Sequence, residues 1–258
     1  MRITLACVSS IIALATANPA LAQDATAPTP AITINGTAAV VSDYRFRGIS
    51  QSDKNFAIQG SITVSHESGL YASVWGSSVD GYVTASGQAN AELDLIVGFK
   101  KTFSGTTFDI GALYYVYPKT RLAGDNSSSD FIEPYLAVSH TFGPVTGKAS
   151  IAYAPKQKAL RLDQTTGRNR DNVYIAGDLS VGIPETPIGL TAHVGHTFGP
   201  SWLSIGNEYT DYGVGATVTY KMLTLGLSYV NADGAPFVTP LGRDAAKGGI
   251  VGSLTASF

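Results

Sequence analysis

The sequence predicts an all-β protein: a transmembrane antiparallel β-barrel of about 12 strands in up-and-down order. Three observations carry that prediction. From Ile32 onward apolar residues recur at every second position, the connections between such runs alternate between short and long, and the last run ends on an aromatic residue, Phe258.

Composition narrows the alternatives. The chain of 258 residues is 44% hydrophobic but only 14% charged, whereas soluble domains average roughly 25% charged residues. Mean hydropathy is only +0.12, too low for a bundle of membrane helices. A net charge of −2 and a pI of about 6.0 give no electrostatic case for nucleic acid as a partner.

The elements follow in order. Residues 1–22 read as a secretory signal peptide: Arg2 supplies positive charge, Ile3 to Ala17 is apolar, and Ala20-Leu21-Ala22 is a small-residue cleavage site. The single cysteine, Cys7, lies inside it, so the exported chain has no thiol for a disulfide, a metal or a nucleophile. Residues 23–31, rich in Pro and Ala, form a flexible periplasmic leader. The barrel occupies 32–258, with strands expected at 32–46, 55–66, 69–78, 89–101, 106–117, 130–142, 145–154, 171–181, 189–198, 208–220, 223–231 and 249–258. No stretch after the signal approaches the roughly 18 apolar residues of a membrane helix. Long connections fall at 47–54, 79–88, 118–129, 155–170, 199–207 and 232–248, and short ones between them. Antiparallel neighbours place every second connection at the same end, and outer-membrane barrels keep the long loops outside.

Alternation also fixes which face is which. Between Ala89 and Lys100, Leu93, Leu95, Val97 and Phe99 share one face while Glu92 and Asp94 share the other, with Ile96 as the exception. A carboxylate facing lipid is costly, so the apolar set points outward. The run 69–78 is ambiguous, because Leu70, Ala72 and Val74 favour one face outward and Tyr71 and Trp75 the other. Aromatics form two expected girdles. Phe99, Phe103, Phe108, Phe142, Phe198, Tyr220 and Phe258 mark the periplasmic boundary; Tyr44, Phe46, Phe56, Tyr114, Tyr153, Tyr212 and Tyr229 mark the outer one. Phe258 closes an apolar face shared with Ile250, Leu254 and Ala256, the form of the C-terminal signal read by the barrel-assembly machinery.

The same parity directs Asp43, Arg45, Arg47, Glu92, Asp94, Lys100, Asp109, Glu133, Lys148, Asp178, His193 and Asp211 inward, seven acids against four fixed bases. A water-filled lumen of this kind would favour cations and small neutral solutes. Paired across a narrow interior, the same charges would act as internal glue. Asp43, Arg45 and Arg47 alternate near the mouth, where arginine can grip carboxylates bidentately, and Gly48 permits a sharp exit into the loop. Lys156, Lys158, Arg161, Arg168 and Arg170 make the loop 155–170 basic, suited to lipopolysaccharide phosphates or simply to solvent. Asp125, Asn126 and Asp130 lack the glycine and terminal glutamate of an EF-hand, so no metal is expected. His66, His140, His193 and His196 accompany no GxSxG or HExxH motif. The expectation is a non-enzyme with no cofactor and no catalytic residue.

The run Ser42-Asp43-Tyr44-Arg45-Phe46-Arg47-Gly48-Ile49-Ser50-Gln51, with Glu67-Ser68-Gly69-Leu70-Tyr71 and Trp75-Gly76-Ser77-Ser78-Val79, resembles the TorF family of proteobacterial porin-like proteins. The resemblance covers most of the exported chain and is strongest over the first 80 residues; Ser73 stands where that family has glycine. It implies an outer-membrane barrel with a channel role, and brings no substrate and no catalytic residues.

The sequence thus predicts an outer-membrane channel for passive diffusion of small hydrophilic solutes. Asp43, Arg45, Arg47, Glu92, Asp94 and Glu133 line its constriction, and Phe258 serves assembly. The alternatives are a structural or adhesive barrel with a plugged lumen and, less favoured, a lipid-modifying enzyme. Expected partners are outer-membrane lipids, lipopolysaccharide, the barrel-assembly machinery and small solutes. Outward faces that suit lipid suit a neighbouring barrel equally, so a homo-oligomer belongs among them.

Overall fold

Period-two alternation closes the sheet on itself. In a computed structural model, which describes residues 30–84, 86–122, 126–163, 165–234 and 236–258, twelve strands form one closed antiparallel barrel. The signal peptide and nearly all of the leader expected from the sequence lie outside the described residues. The strands are β1 (Ile32–Val41), β2 (Ala57–His66), β3 (Leu70–Ser78), β4 (Ala91–Phe103), β5 (Thr106–Val116), β6 (Phe131–Phe142), β7 (Val145–Gln157), β8 (Arg170–Gly182), β9 (Ile188–Phe198), β10 (Tyr209–Tyr220), β11 (Leu223–Asp233) and β12 (Gly249–Ser257). Each pairs with its sequence neighbours, and β12 returns to β1 in the register Thr37↔Ser257 to Val41↔Ser253. Below that seam the Gly36 N–H donates to the Phe258 carbonyl at 2.8 Å, and the Phe258 N–H donates back at 3.0 Å. A Cβ on Gly36 would lie 2.4 Å from the Phe258 ring, so only glycine leaves room for the terminal aromatic there.

Short turns gather at one end of the barrel and long loops at the other. The turn Ser104-Gly105 between β4 and β5 has both residues at positive φ, the geometry that matches strand twist in two-residue hairpins. Outward side chains form an apolar belt. Leu93, Leu95 and Val97 are 39–62% exposed, whereas their inward neighbours Glu92 and Asp94 are 2–4% exposed. A closed sheet with this belt satisfies every ladder group internally and presents hydrocarbon to hydrocarbon. It is the construction of an outer-membrane barrel.

One strand expectation needs correction and two are sharpened. The first strand ends at Val41 and not at residue 46, because the chain leaves the wall there and turns into the bore. β7 runs on to Gln157, three residues further than its pattern suggests, and the Gln157 amide explains why. It donates to the Ile132 carbonyl at 2.9 Å and accepts the Ile132 N–H at 2.8 Å, standing in for a backbone pair. In β3 the ambiguity resolves with Leu70, Ala72 and Val74 outward. Tyr71 and Trp75 point inward because each has a partner there: Tyr71 donates to Asp109 at 2.8 Å, and Trp75 packs on Tyr44 with ring centroids 5.4 Å apart.

The girdles change with them. Tyr44 and Phe46 leave the outer girdle for the interior, and Phe198 ends β9 beside the long loops, opposite its expected boundary. Ile96, the exception to alternation in β4, is 3% exposed and lies directly across from Leu113 in the lumen, where both join the packed interior.

Candidate functional site

Residues 42–56 connect β1 to β2, and instead of standing over the barrel they fold down into it. The segment forms a miniature hairpin with pairs Arg45↔Ser50 and Phe46↔Ile49. Its tip is Arg47-Gly48, at φ 47° and 79°. Two successive positive φ values are the mark of a primed turn, and Gly48 is required by space as well. A Cβ there would lie 2.8 Å from Asp211 Cβ on β10 and 2.9 Å from Ala232 Cβ on β11. The tip therefore presses on the wall at β10 and β11.

Arg47 locks it in place. Its Nη2 donates to Glu133 Oε1 at 2.6 Å and its Nη1 to Asn172 Oδ1 at 3.1 Å. The guanidinium lies 4.2 Å from the ring centre of Tyr174 and 4.8 Å from that of Phe46. Burial by itself would pull the Arg47 pKa down, but Glu133 outweighs it and holds it above the ordinary arginine value. Glu133 also accepts from Tyr115 Oη at 3.1 Å, and Asn172 donates to the Phe198 carbonyl at 2.7 Å. Glu92 accepts from Tyr44 and Tyr117, each at 2.8 Å. Asp94 sits in the same cluster, 4% exposed, and its Oδ1 has no hydrogen-bond partner among the described residues.

Asp43 and Arg45 do something else. They pair with each other at 2.6 Å, and Arg45 Nη1 donates to the carbonyls of Gly48, Ala245 and Lys247 at 2.9–3.2 Å. This staples the hairpin to the last long loop. The same clasp includes the Ser50 N–H on the Ala245 carbonyl at 3.0 Å and Arg243 Nη1 on the Asp53 carbonyl at 2.6 Å. The parity that directs all three residues inward as strand positions thus reaches the right side for the wrong reason. They belong to an inserted loop, and Arg47 alone crosses the bore. All six residues expected to line a constriction come together around this hairpin, but each is no more than 7% exposed. They sit in packed protein and not along an open water column.

Below the hairpin the lumen is wetter. Lys148 pairs with Asp178 at 2.9 Å, and His193 lies between Asp178 at 2.6 Å and Asp211 at 2.9 Å. Lys100 approaches Asp109 at 3.7 Å, and Tyr71 and Tyr135 hydrogen-bond beside it. The Lys100, Lys148, Asp178 and His193 side chains remain 18–33% exposed. The other histidines bond locally: His140 to Thr106, His196 to Thr210, and His66 to both the hydroxyl and the N–H of Ser68 within one turn. Of the oxygen-rich trio in the third long loop, Asp125 lies outside the described residues, and Asp130 accepts the Tyr117 N–H at 2.9 Å.

Above the hairpin, between the long loops, is a cavity of about 400 Å³ with Phe46, Ile49 and Gln51 of the inserted segment among its walls.

The profile of a bacterial family described as "Bacterial protein of unknown function (Gcw_chp)" matches residues 24–258. The chain belongs to that family. No curated protein sequence matches it. Among solved structures, the NanC porin is similar with a TM-score of 0.57 at 13% identity, covering 88% of this chain and 99% of that one. An outer membrane channel from Pseudomonas putida F1 has a TM-score of 0.52 at 11% identity, covering 91% of this chain and 98% of that one. These likenesses establish the porin-like barrel fold.

In this Gcw_chp barrel several residues of the site escape a charge-centred reading of the sequence. Tyr115 and Tyr117 share the inward parity of Asp109, and Asn172 and Tyr174 share that of Asp178. The signal is present in the alternation, which carries these uncharged polar side chains inward together with the charged ones.

Proposed function

We propose that the protein is a porin-like outer-membrane channel for small hydrophilic solutes, narrowed to a closed resting state by the hairpin 45–50. The observation that carries this reading is the Arg47 bridge to Glu133 at 2.6 Å across the bore, above a lumen that keeps hydrated charges. Passage requires the hairpin tip to yield. Selectivity then falls to Glu92, Asp94 and Glu133, with Asp43 and Arg45 holding the hairpin base. The TorF resemblance of residues 42–51 fits this assignment, because those residues build the hairpin. Outer-membrane lipid, lipopolysaccharide at the loop rim and the barrel-assembly machinery acting on Phe258 are the partners that accompany it.

The burial of the mid-barrel side chains, with Leu113, Tyr115 and Glu133 each 1% exposed, favours a second reading, a structural barrel with a permanent plug. Planar-bilayer recording separates the two. Brief, small conductance steps that become larger and longer in Arg47→Ala support the channel. Silence in both wild type and Arg47→Ala, with heat-modifiable folded protein confirmed on gels, leaves the structural barrel.

A further inference from the structure

The cavity above the hairpin does not have the chemistry of a mouth for hydrophilic solutes. None of the described residues lining it is charged, although 14% of the chain is. Seven aromatic rings contribute instead: Phe46, Tyr82, Tyr117, Phe131, Trp202, Tyr209 and Phe237. They come from the inserted hairpin, from the ends of β6 and β10, and from four separate loops.

Its walls are fixed rather than collapsed. The Trp202 indole N–H donates to the Val83 carbonyl at 3.0 Å, tying two loops together. Tyr82 Oη donates to the Ser50 carbonyl at 2.5 Å and accepts the Asp53 N–H at 3.1 Å, tying the Val83 loop to the inserted segment as well. With its polar end so occupied, Tyr82 offers the cavity its ring, which stacks obliquely on Phe237 at 5.5 Å. No outward strand position takes part, so the space belongs to the barrel interior and not to the bilayer.

We propose that this vestibule is a binding site for a neutral, ring-bearing apolar molecule with a single polar group. A preformed volume of about 400 Å³ lies in the range of small-molecule sites. Aromatic walls favour a flat ring, which they meet edge-on or offset-stacked. The uncharged lining penalises an ionic ligand, which would leave its hydration shell without a counter-charge. Gln51, Thr84 and Ser129 supply the few polar groups at the edge of an otherwise greasy wall. The site needs only the closed barrel described above. Binding can therefore succeed or fail whether or not the barrel conducts.

The test uses 1-naphthol as the probe and 1-naphthalenesulfonate as its charged counterpart. Each is titrated against the full barrel in liposomes while tryptophan fluorescence is followed, with protein-free liposomes as reference. Saturable quenching by 1-naphthol is expected, with the sulfonate weaker by about tenfold or more. Ala159, a wall residue 7% exposed, is replaced in Ala159→Phe to fill the space, which should weaken 1-naphthol by about tenfold. Leu241→Ala, at an exposed position that is not part of the cavity wall, should leave it unchanged. Quenching that never saturates, or equal binding of the sulfonate, overturns the proposal using wild-type protein alone, even if the filled variant does not fold. Binding untouched in a folded Ala159→Phe barrel overturns it as well.

Discussion

The upper and lower halves of the bore obey the same alternation and reach opposite outcomes. Near the long loops Arg47, Glu92, Asp94 and Glu133 are 1–4% exposed. Toward the short turns Lys100, Lys148, Asp178 and His193 keep 18–33% of their side chains exposed, whereas Asp109, covered by Tyr71 and Tyr135, is buried there at 2%. The difference is the hairpin 45–50, which fills one half and stops short of the other. An inward charge in a barrel is therefore no guide to open water. Where a loop supplies a counter-charge and displaces solvent, the lumen becomes a core. Where none does, it stays a lumen.

Energetics should follow the division. The largest effect is expected for Glu133→Ala, which leaves the Arg47 guanidinium buried without its carboxylate. Breaking one side of a buried pair costs about 3–5 kcal/mol, read from urea unfolding of the barrel in liposomes. Arg47→Ala combined with it should add much less than its own separate effect. If Glu133→Ala costs no more than a lower-lumen substitution, the contrast between the halves is lost.

Next in size is Gly48→Val. The positive φ of 79° and a Cβ within 2.9 Å of Asp211 and Ala232 act together, for about 1–3 kcal/mol of strain. Gly87→Val sharpens the measurement, since at φ +68° with nothing within 4 Å of its Cβ position it carries the backbone component of the same substitution. A Gly48 variant no worse than the Gly87 one would mean that the tip does not press on β10 and β11.

An alkaline transition comes third. Burial pushes the Tyr82 hydroxyl up to about 12. The folded value lies above the unfolded value of about 10, so its contribution is whole below pH ~10 and disappears as pH rises toward ~12. Hairpin opening, seen as rising bilayer conductance, should begin in that window, whereas Tyr82→Phe, which lacks the latch at every pH, should show the raised conductance already at neutral pH and no further rise there. The smallest stability effect belongs to Lys148→Ala. Its pair with Asp178 is part-hydrated, so no more than about 1 kcal/mol is at stake. In a conducting variant such as Arg47→Ala, however, it should shift the reversal potential toward cations.

Much of this was readable in advance. The strand list, the inward set and the lipid-facing set all follow from parity, which each residue reports through its immediate neighbours. Ile96 is instructive, because its break in the pattern was visible while its cause, the facing Leu113 beneath the hairpin, was not. For the site, the sequence placed six residues inward, yet it read 42–46 as wall. Apolar-polar alternation continues through Tyr44 and Phe46 just as it would in a strand.

What the sequence alone determined is the barrel: an even set of strands, their polarity, and a wall greasy outside and polar within, all encoded at a period of two. What the tertiary structure decided is where residues 42–56 go. That depends on Arg47 meeting Glu133 and Asn172, which lie 86 and 125 positions away, and on Arg45 meeting Ala245, 200 positions away. A local period cannot encode partners at such distances. They come within reach only once the closed sheet has brought its far wall opposite the first loop.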